Sequence, residues 1–411
     1  MKKIVLITSG QPSTNPRLVK EADALASRAY QVTVVYQYWD EWAEKADQIL
    51  FENKKWEAIC VGGNLNKKKW LYLLTRLSHK IFRLLQVYFG NRFYLAEMAG
   101  CRNTYLLYLA ALNQKADLYI GHNLGALAPA VWAAKKKNKY CGFDAEDFHR
   151  NERSSNPNEV DVKFKTYLAD KYFPFLSYLT TASPLINKEY EKLFPECKPV
   201  NIDNVFKKYL LNPSQDYNII KPLKLFWFSQ KIGPDRGIED VFKALKIIED
   251  EEIEFHILGK PRPNIIKEFD ICIESLKFNK PPNIVYHSPM DGASLMNFAA
   301  IFDIGLCLEP GFSRNNEIAL SNKLFTYINV GLALICTETD AQHKFVKENP
   351  EVGRTYPFGD VLALAKIIKH FKNNPSELNK TKTAAFNLAQ QKYNWELESQ
   401  KLFQIIDPLL K

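Results

Sequence analysis

The sequence has no apolar run long enough to cross a membrane. Its longest uncharged stretch, residues 118–134, contains a histidine, an asparagine, two glycines and a proline, and it falls short of the ~20 apolar residues that a spanning helix needs. The apolar stretch near the start covers only four residues, which is too short for the core of a signal peptide. We therefore expect a cytoplasmic protein without transmembrane helices.

Cysteine and glycine are also few, while proline is at an ordinary level. The seven cysteines lie far apart and form no C-x-x-C pair, a pattern that favours neither a disulfide framework nor a zinc site. With only 17 glycines and 21 prolines, the composition excludes fibrous and disordered classes. The chain is therefore expected to be globular and to lie in a reducing compartment.

The 411 residues, of which 46% are hydrophobic, suffice for two domains. Strand-like runs that end in polar residues alternate with helical patterns in both halves, as in doubly wound parallel sheets. We expect an α/β protein with an N-terminal domain over residues 1–206, a second domain over residues 222–390 and a C-terminal helix over residues 391–411. The polar stretch at residues 204–222 is the predicted linker.

Residues 64–94 contain seven lysines and arginines and no acidic residue, within a chain of net charge +9. Helical spacing joins a set of apolar positions there into a stripe: Leu71, Leu74, Leu77, Ile81, Leu84 and Tyr88. One interpretation is a peripheral contact with an anionic inner-membrane surface, for which Trp70 is well suited. The other is a helix pair that packs its apolar stripe on the N-terminal sheet. Nucleic acid is not expected as a partner, because no recognition motif accompanies the charge.

Two elements of the second half are suited to an anion. A turn with Lys231 and Arg236 stands between a strand and a helix, where cations and backbone N–H groups favour a diphosphate. A second helix is predicted to begin near Asn322 and Lys323 and to end near Gly331, so its N-terminus offers another anion site. The alternatives are a solvated basic turn and a capped helix with a stray lysine.

These elements resemble the retaining glycosyltransferases of the GT-B fold, of the family-4 type that includes capsule and lipopolysaccharide sugar transferases. The likeness covers the basic turn with its RG pair, the segment DIGL…EP…NKLFTYINVG, the early segment NPRLVKEADALASRAYQVTVV, ADLYIGHN and the tryptophan-led last helix. It implies two Rossmann-like domains with an interdomain cleft, an acceptor side in the N-terminal half and a donor side in the C-terminal half. The fold also allows the last helix to cross back to the first domain.

Carried over to single residues, the resemblance makes Lys231 and Arg236 contacts of the donor diphosphate, together with Asn322 and Lys323. It matches His122 to a histidine near the transferred sugar and the reaction centre. The reaction needs no cofactor; a UDP- or GDP-sugar is the donor, and the acceptor is a glycan or a lipid-linked sugar of surface polysaccharide biosynthesis.

The family's pair of glutamates is not reproduced cleanly. Glu309 and Glu317 have the family's spacing of eight, but counting back from Gly331 places the ribose contact at Thr326 and the sugar-side position beside Glu317. We therefore expect Glu317 as the sugar-side carboxylate, with Glu309 as its rival and Thr326 as the ribose contact.

Two further positions complete the candidates. Gly10 lets backbone approach the donor phosphates, although it could equally form a simple turn. The string DAED at residues 144–147 resembles a metal-binding pattern, but without a companion histidine we interpret Glu146 or Asp147 as an acceptor-side or structural group and expect no metal.

The resemblance leaves two other functions open. A nucleotide-sugar 2-epimerase has a related fold, but it would need more acid and base groups than the seven histidines obviously supply. A non-catalytic subunit that binds sugar nucleotides or polysaccharide would fit the missing glutamate at Thr326.

Overall fold

The computed structural model describes residues 1–210, 222–250 and 252–411. The chain divides into two compact units: unit 1 comprises Met1–Asp203 and Ser399–Lys411, and unit 2 comprises Asn204–Glu398. Most of the predicted linker, residues 211–221, lies outside the described residues.

Unit 1 is built on one parallel sheet of seven strands. In chain order these are β1 (Lys3–Thr8), β2 (Gln31–Gln37), β3 (Glu57–Val61), β4 (Leu118–His122), β5 (Tyr140–Ala145), β6 (Tyr178–Thr181) and β7 (Val200–Asn201). Its helices are α1 (Pro16–Ser27), α2 (Glu41–Phe51), α3 (Lys69–Phe89), α4 (Leu95–Gly100), α5 (Thr104–Asn113), α6 (Leu124–Lys137), α7 (Val160–Tyr172) and α8 (Pro184–Leu193). The strand order is β3-β2-β1-β4-β5-β6-β7.

Unit 2 repeats the design with six parallel strands in the order β10-β9-β8-β11-β12-β13. These strands are β8 (Leu223–Ile232), β9 (Ile253–Pro261), β10 (Asn283–His287), β11 (Ile304–Cys307), β12 (Ala333–Thr337) and β13 (Gly353–Tyr356). The helices are α9 (Ile238–Ile248), α10 (Ile265–Ser275), α11 (Gly292–Ala299), α12 (Arg314–Ile318), α13 (Asn322–Val330), α14 (Asp340–Glu348), α15 (Val361–Asn373) and α16 (Pro375–Gln391). The last helix, α17 (Trp395–Leu409), begins in unit 2, and its residues from Ser399 onward belong to unit 1.

The central strands are buried on both faces. Residues 4–7 of β1 and Ile304, Leu306 and Cys307 of β11 are at most 1% exposed, as expected where helices cover both sides of a parallel sheet. Two doubly wound sheets in one chain confirm the predicted α/β fold with Rossmann-like units.

Helix α13 shows how local sequence sets an element. Ser321 precedes it in extended conformation, and its hydroxyl accepts a hydrogen bond from the backbone N–H of Lys323. Gly331 ends the helix with φ of +77°, a conformation that costs glycine little. The predicted start near Asn322 and end near Gly331 are confirmed.

Helix α3 does not pack its predicted apolar stripe on the sheet of unit 1, as one of the two interpretations required. Most of the predicted apolar stripe is exposed: Leu74, Leu77, Ile81, Leu84 and Tyr88. The interpretation that buries the stripe on the N-terminal sheet is therefore wrong for these five side chains. Within residues 1–210, 222–250 and 252–411, no helix has both the length and the hydropathy needed to cross a bilayer.

Candidate functional site

The strand order of unit 2 places its candidate site. Strands β8 and β11 are neighbours, while the chain continues from β8 to β9 on one side and from β11 to β12 on the other. In open α/β sheets, such a reversal opens a crevice at the carboxyl ends of the two strands, and ligands bind there. Lys231 lies at the C-terminal end of β8, within the strand and not in the turn that the sequence predicted. Arg236 follows β8, and Glu309 follows β11.

The basic turn after β8 lies against the end of β11. Lys231 and Arg236 are both exposed. The next residue, Gly237, has φ of +75°, and a Cβ atom there would lie 2.8 Å from Cβ of Leu308. Because Gly237 precedes the first residue of α9, the N-terminus of this helix is fixed beside the loop that carries Glu309.

Lys323, the cation of the second predicted anion site, is held inside the loop region. Nζ of Lys323 lies 2.5 Å from Oε1 of Glu309 and 3.4 Å from Oγ of Ser321. It also lies 5.8 Å from the ring centroid of the buried Trp227 on β8. The side chains of Lys323 and Glu309 are only 14% and 13% exposed, so water screens their attraction less than at an open surface.

One carboxylate oxygen in this cluster is unsatisfied. Oε2 of Glu309 is buried and makes no hydrogen bond to any residue that the structure describes. A buried acceptor without a donor is costly. Glu309 therefore has an acceptor without a described donor next to the Lys323 ammonium, and a sugar hydroxyl would reach this closed-off oxygen only after the side chain turns.

Glu317, the other candidate carboxylate, makes different contacts. Its Oε2 accepts a hydrogen bond from the backbone N–H of Asp340, at 3.1 Å, at the start of α14. Its Oε1 lies where a Cβ on Gly311 would be, 2.1 Å away, and Gly311 has φ of +71°. Glu317 thus stabilises the N-terminus of α14 and packs on a glycine turn, while Glu309 contacts Lys323.

The remaining two positions on α13 differ in their access. Asn322 is exposed, and its Oδ1 accepts a hydrogen bond of 2.8 Å from Asn204. Thr326 is fully buried, and its hydroxyl donates to the backbone carbonyl of Asn322 at 3.0 Å. In this arrangement the Thr326 hydroxyl presents no surface to a ribose.

Unit 1 has its own strand reversal, between β1 and β4. The Thr8 hydroxyl at the end of β1 donates to Oδ1 of Asn123, at 2.8 Å, and accepts the backbone N–H of Gly10 at 3.2 Å. A Cβ on Gly10 would approach no described atom closer than 3.4 Å. The loop would therefore accommodate a small side chain at Gly10.

His122 ends β4 and is fully buried in unit 1. Its Nε2 lies 3.0 Å from Oε2 of Glu21, and its Nδ1 lies 3.5 Å from Oδ2 of Asp144. Burial opposes a charge on the imidazole, but the Glu21 carboxylate, followed by Asp144, raises the pKa of His122 above its usual value. The arrangement favours an imidazolium between two carboxylates.

Arg17 completes this cluster from α1. Its guanidinium forms a bidentate pair with Asp144, at 2.6 and 2.8 Å, and donates to the carbonyl of Ile202 at 2.6 Å. Burial opposes ionisation of Asp144, yet Arg17 holds the pKa of that carboxyl below its usual value. The sequence did not single out Arg17 or Glu21, because helix periodicity does not reveal a polar residue that faces the sheet.

Glu21, His122 and Asp144 could together offer ligand atoms to a metal, since these atoms lie within 4.8 Å of one another. However, the Arg17 guanidinium already supplies a cation to both oxygens of Asp144. Glu146 of the DAED string is not in this group; burial, and then the charge of Asp144, raise its pKa to about 7. The donor set is therefore better explained as a buried ion-pair network than as a metal site.

Three comparisons with known proteins bear on this geometry. Residues 236–404 match a family model described as glycosyl transferase-like, which covers less than half of the chain. No curated protein sequence is significantly similar to the chain.

Solved structures match over nearly the full length. HepE of Anabaena in complex with UDP has a TM-score of 0.70 at 15% identity, over 99% of this chain and 100% of HepE; HepE has also been solved with UDP-glucose. A glycosyltransferase of Rickettsia africae has a TM-score of 0.71 at 14% identity, covering 100% and 99%. WaaG, a glycosyltransferase involved in lipopolysaccharide biosynthesis, has 0.63 at 15%, covering 98% and 99%. At these identities the likeness shows the shared GT-B fold.

Proposed function

We propose that this chain is a glycosyltransferase that moves a sugar from a UDP- or GDP-sugar to a glycan or a lipid-linked acceptor. The observation that carries the proposal is the position of Lys323. Its ammonium lies at the N-terminus of α13, beside the end of β11, where the strand order of unit 2 opens a ligand crevice. The family match over residues 236–404 and the UDP complexes of HepE support the same chemistry.

The proposed role of the cations is to stabilise the leaving group. A nucleoside diphosphate gains negative charge as the bond between the anomeric carbon and the phosphate oxygen breaks. Lys323, Arg236 and Lys231 would stabilise that charge together with the backbone N–H groups at Asn322. Lys323 would then divide its hydrogen bonds between the diphosphate and Glu309.

We propose Glu309 as the carboxylate that orients the transferred sugar, because its Oε2 has no described partner and would gain one if the side chain turned toward a bound sugar. Glu317 remains the alternative from the sequence, but its oxygens contact the α14 N-terminus and the Gly311 turn. The role of His122 near the reaction centre stays part of the proposal. Its raised pKa would supply a positive charge there.

For the stereochemistry we propose retention through a front-face transfer. The acceptor hydroxyl would attack the face from which the diphosphate departs, and a departing phosphate oxygen would take its proton. The C–O bond to the donor breaks, the new glycosidic bond forms, and the proton leaves with the nucleoside diphosphate. No protein nucleophile is needed in this scheme.

The proposed biological setting is surface polysaccharide biosynthesis on the cytoplasmic side of the inner membrane. The fold shared with WaaG supports this setting. The exposed basic and apolar helix α3 of unit 1 also supports it, because lipid-linked acceptors lie at a membrane surface.

The first test is hydrolysis of the donor without an acceptor. A panel of nucleotides and UDP- and GDP-sugars is ranked by thermal stabilisation of the protein, since a ligand that binds the folded state stabilises it. We expect slow release of nucleoside diphosphate from the best sugar nucleotide, lowered about a hundredfold by Lys323→Ala and unchanged by Lys347→Ala, an exposed lysine on α14.

Three other outcomes would contradict the proposal. Appearance of the 2-epimer of the donor sugar would assign an epimerase, and tight binding without turnover in the presence of acceptors would assign a binding subunit. Full activity of Lys323→Ala would remove the proposed leaving-group stabiliser. The anomeric configuration of the first product, read by NMR, tests retention.

A further inference from the structure

Helix α3 of unit 1 exposes an apolar stripe that a water-facing helix does not normally show. Trp70, Leu77 and Tyr88 are 68%, 57% and 81% exposed. This exposed stripe differs from the predicted one because it includes Trp70 and Leu73 and leaves out the half-buried Leu71. It comprises Trp70, Leu73, Leu74, Leu77, Ile81, Leu84 and Tyr88, all of them exposed. Their spacings of three and four residues place them along one face of the helix. Contiguous exposed apolar surface of this kind marks an interaction site.

The opposite face fixes α3 to unit 1. Tyr72 and Thr75 are buried, and a ring nitrogen of His79 lies 2.8 Å from the carbonyl of Ala99 near the end of α4. The guanidinium of Arg102 stacks over the Tyr72 ring at 4.7 Å. The helix is therefore held by one face, and this attachment leaves the stripe directed outward.

Basic side chains border the stripe. Lys69, Arg76, Lys80 and Arg83 follow one another at spacings of seven, four and three residues, which aligns them in a row beside the apolar face. No acidic residue occurs anywhere from residue 64 to residue 94. A partner of this surface must combine an apolar interior with a negatively charged boundary.

We propose that α3 lies in the interface of an anionic lipid bilayer, with the stripe inserted and the basic row at the headgroups. An interfacial helix inserts its apolar face to a depth of about 5–10 Å while its cations attract anionic lipids. Trp70 and Tyr88, near the two ends of the stripe, have the amphipathic rings that favour this boundary. A second copy of the chain fits less well, because neither α3 helix of such a pair carries an acidic side chain to face the basic row of the other.

The inference concerns the partner of this surface and does not depend on the chemistry proposed for unit 2. The test is flotation of the full chain with vesicles of phosphatidylcholine alone or mixed with phosphatidylglycerol. We expect binding to the mixed vesicles that weakens at high salt, because salt screens the attraction to headgroups.

Two variants separate the two contributions. Leu77→Ser with Ile81→Ser removes apolar contact, and Lys80→Glu with Arg83→Glu reverses charge; all four positions are exposed, so folding should be retained. Each pair is expected to weaken binding at least about tenfold. Lys163→Glu with Lys188→Glu, at exposed sites on α7 and α8, is the matched control and should bind like wild type.

A spectroscopic measurement identifies the inserted face. Brominated lipid should quench part of the tryptophan fluorescence, and Trp70→Phe should remove that part.

Absence of binding to the mixed vesicles would overturn the proposal, as would equal weakening by the control pair. A dimer in solution that Leu77→Ser with Ile81→Ser dissociates would assign the stripe to a second copy. Donor hydrolysis measured without vesicles is expected to be the same in the stripe variants and wild type, so a failure of membrane binding is distinguishable from a failure of the proposed function.

Discussion

The ammonium of Lys323 lies 2.5 Å from Oε1 of Glu309. The two residues come from different segments at the carboxyl ends of the strands of unit 2. Lys323 is near the start of α13, and Glu309 follows β11. Lys323 neutralises the negative charge of Glu309, which would otherwise repel a diphosphate. It also leaves the second oxygen of Glu309 free to accept a hydrogen bond. Under the proposed function, stability and ligand binding would depend on the same ion pair.

Removing the lysine should affect both properties, and a second substitution should separate them. Lys323→Ala leaves the Glu309 carboxylate unpaired and is expected to lower the free energy of unfolding by about 1–2 kcal/mol, below the cost for a fully buried pair because both groups are partly exposed. Donor hydrolysis should fall by about a hundredfold. Adding Glu309→Gln should restore much of the stability and none of the activity, as measured by urea titration and product release. Recovery of activity in the double variant would contradict the role of Lys323.

Two glycines of the turn after β8 provide a matched pair. Gly237 has φ of +75° and leaves no space beside Leu308, whereas a Cβ on Gly233 would have no neighbour within 4 Å. Gly237→Ala is expected to destabilise the protein by about 1–3 kcal/mol and to weaken nucleotide binding, because the turn that carries Arg236 must shift. Gly233→Ala should change neither quantity. Calorimetric titration with the best nucleoside diphosphate measures both variants, and equal affinities would show that the turn does not contact the ligand.

The buried hydroxyl of Thr326 gives a test of the ribose contact that the sequence suggested. Thr326→Val keeps the shape and removes the hydrogen bond to the carbonyl of Asn322, at an expected cost of about 1 kcal/mol in the free energy of unfolding. Nucleotide affinity should stay within about twofold, because the side chain is fully buried. Thr326→Ser retains the hydroxyl and serves as the control. A large loss of affinity in the valine variant alone would establish the ribose contact.

Glu146 should make stability depend on pH. Burial, followed by the charge of Asp144, raises its pKa to about 7 in the folded protein. The folded state then holds a proton that the unfolded state has lost, so wild-type stability falls as pH rises from the unfolded pKa of about 4.3 to about 7. Glu146→Gln mimics the protonated form and should avoid this loss.

The comparison is made by urea unfolding of both proteins at about pH 5 and about pH 8. The variant should be more stable than wild type by about 1–3 kcal/mol at the higher pH, with a much smaller difference at the lower pH. Lys20, whose pKa is lowered to about 7 by burial and then by Arg17, is present in both proteins. A stability difference that does not change with pH would show that Glu146 keeps an ordinary pKa.

Local sequence predicted the central elements because their information is local. The β1 and β11 runs are apolar because both of their faces are covered, and α13 begins at a serine cap and ends at a glycine that adopts positive φ. The strands that the sequence did not reveal, β3, β7 and β13, are short and lie at sheet edges. Edge strands are only partly buried, so their sequences lack the strong apolar pattern of a central strand.

The sequence by itself thus determined two doubly wound sheets, the ends of α13 and the basic turn after β8, since propensity, capping and apolar runs act over a few neighbouring residues. Only the tertiary structure decided which glutamate meets Lys323, because Glu309 and Glu317 occupy one loop region and their partners come from distant segments. It also decided that His122 lies between Glu21 and Asp144. The face of α3 was decided in the same way: the same helical period suits a buried or an exposed stripe, and the packing of Tyr72 and Thr75 selects the exposed one.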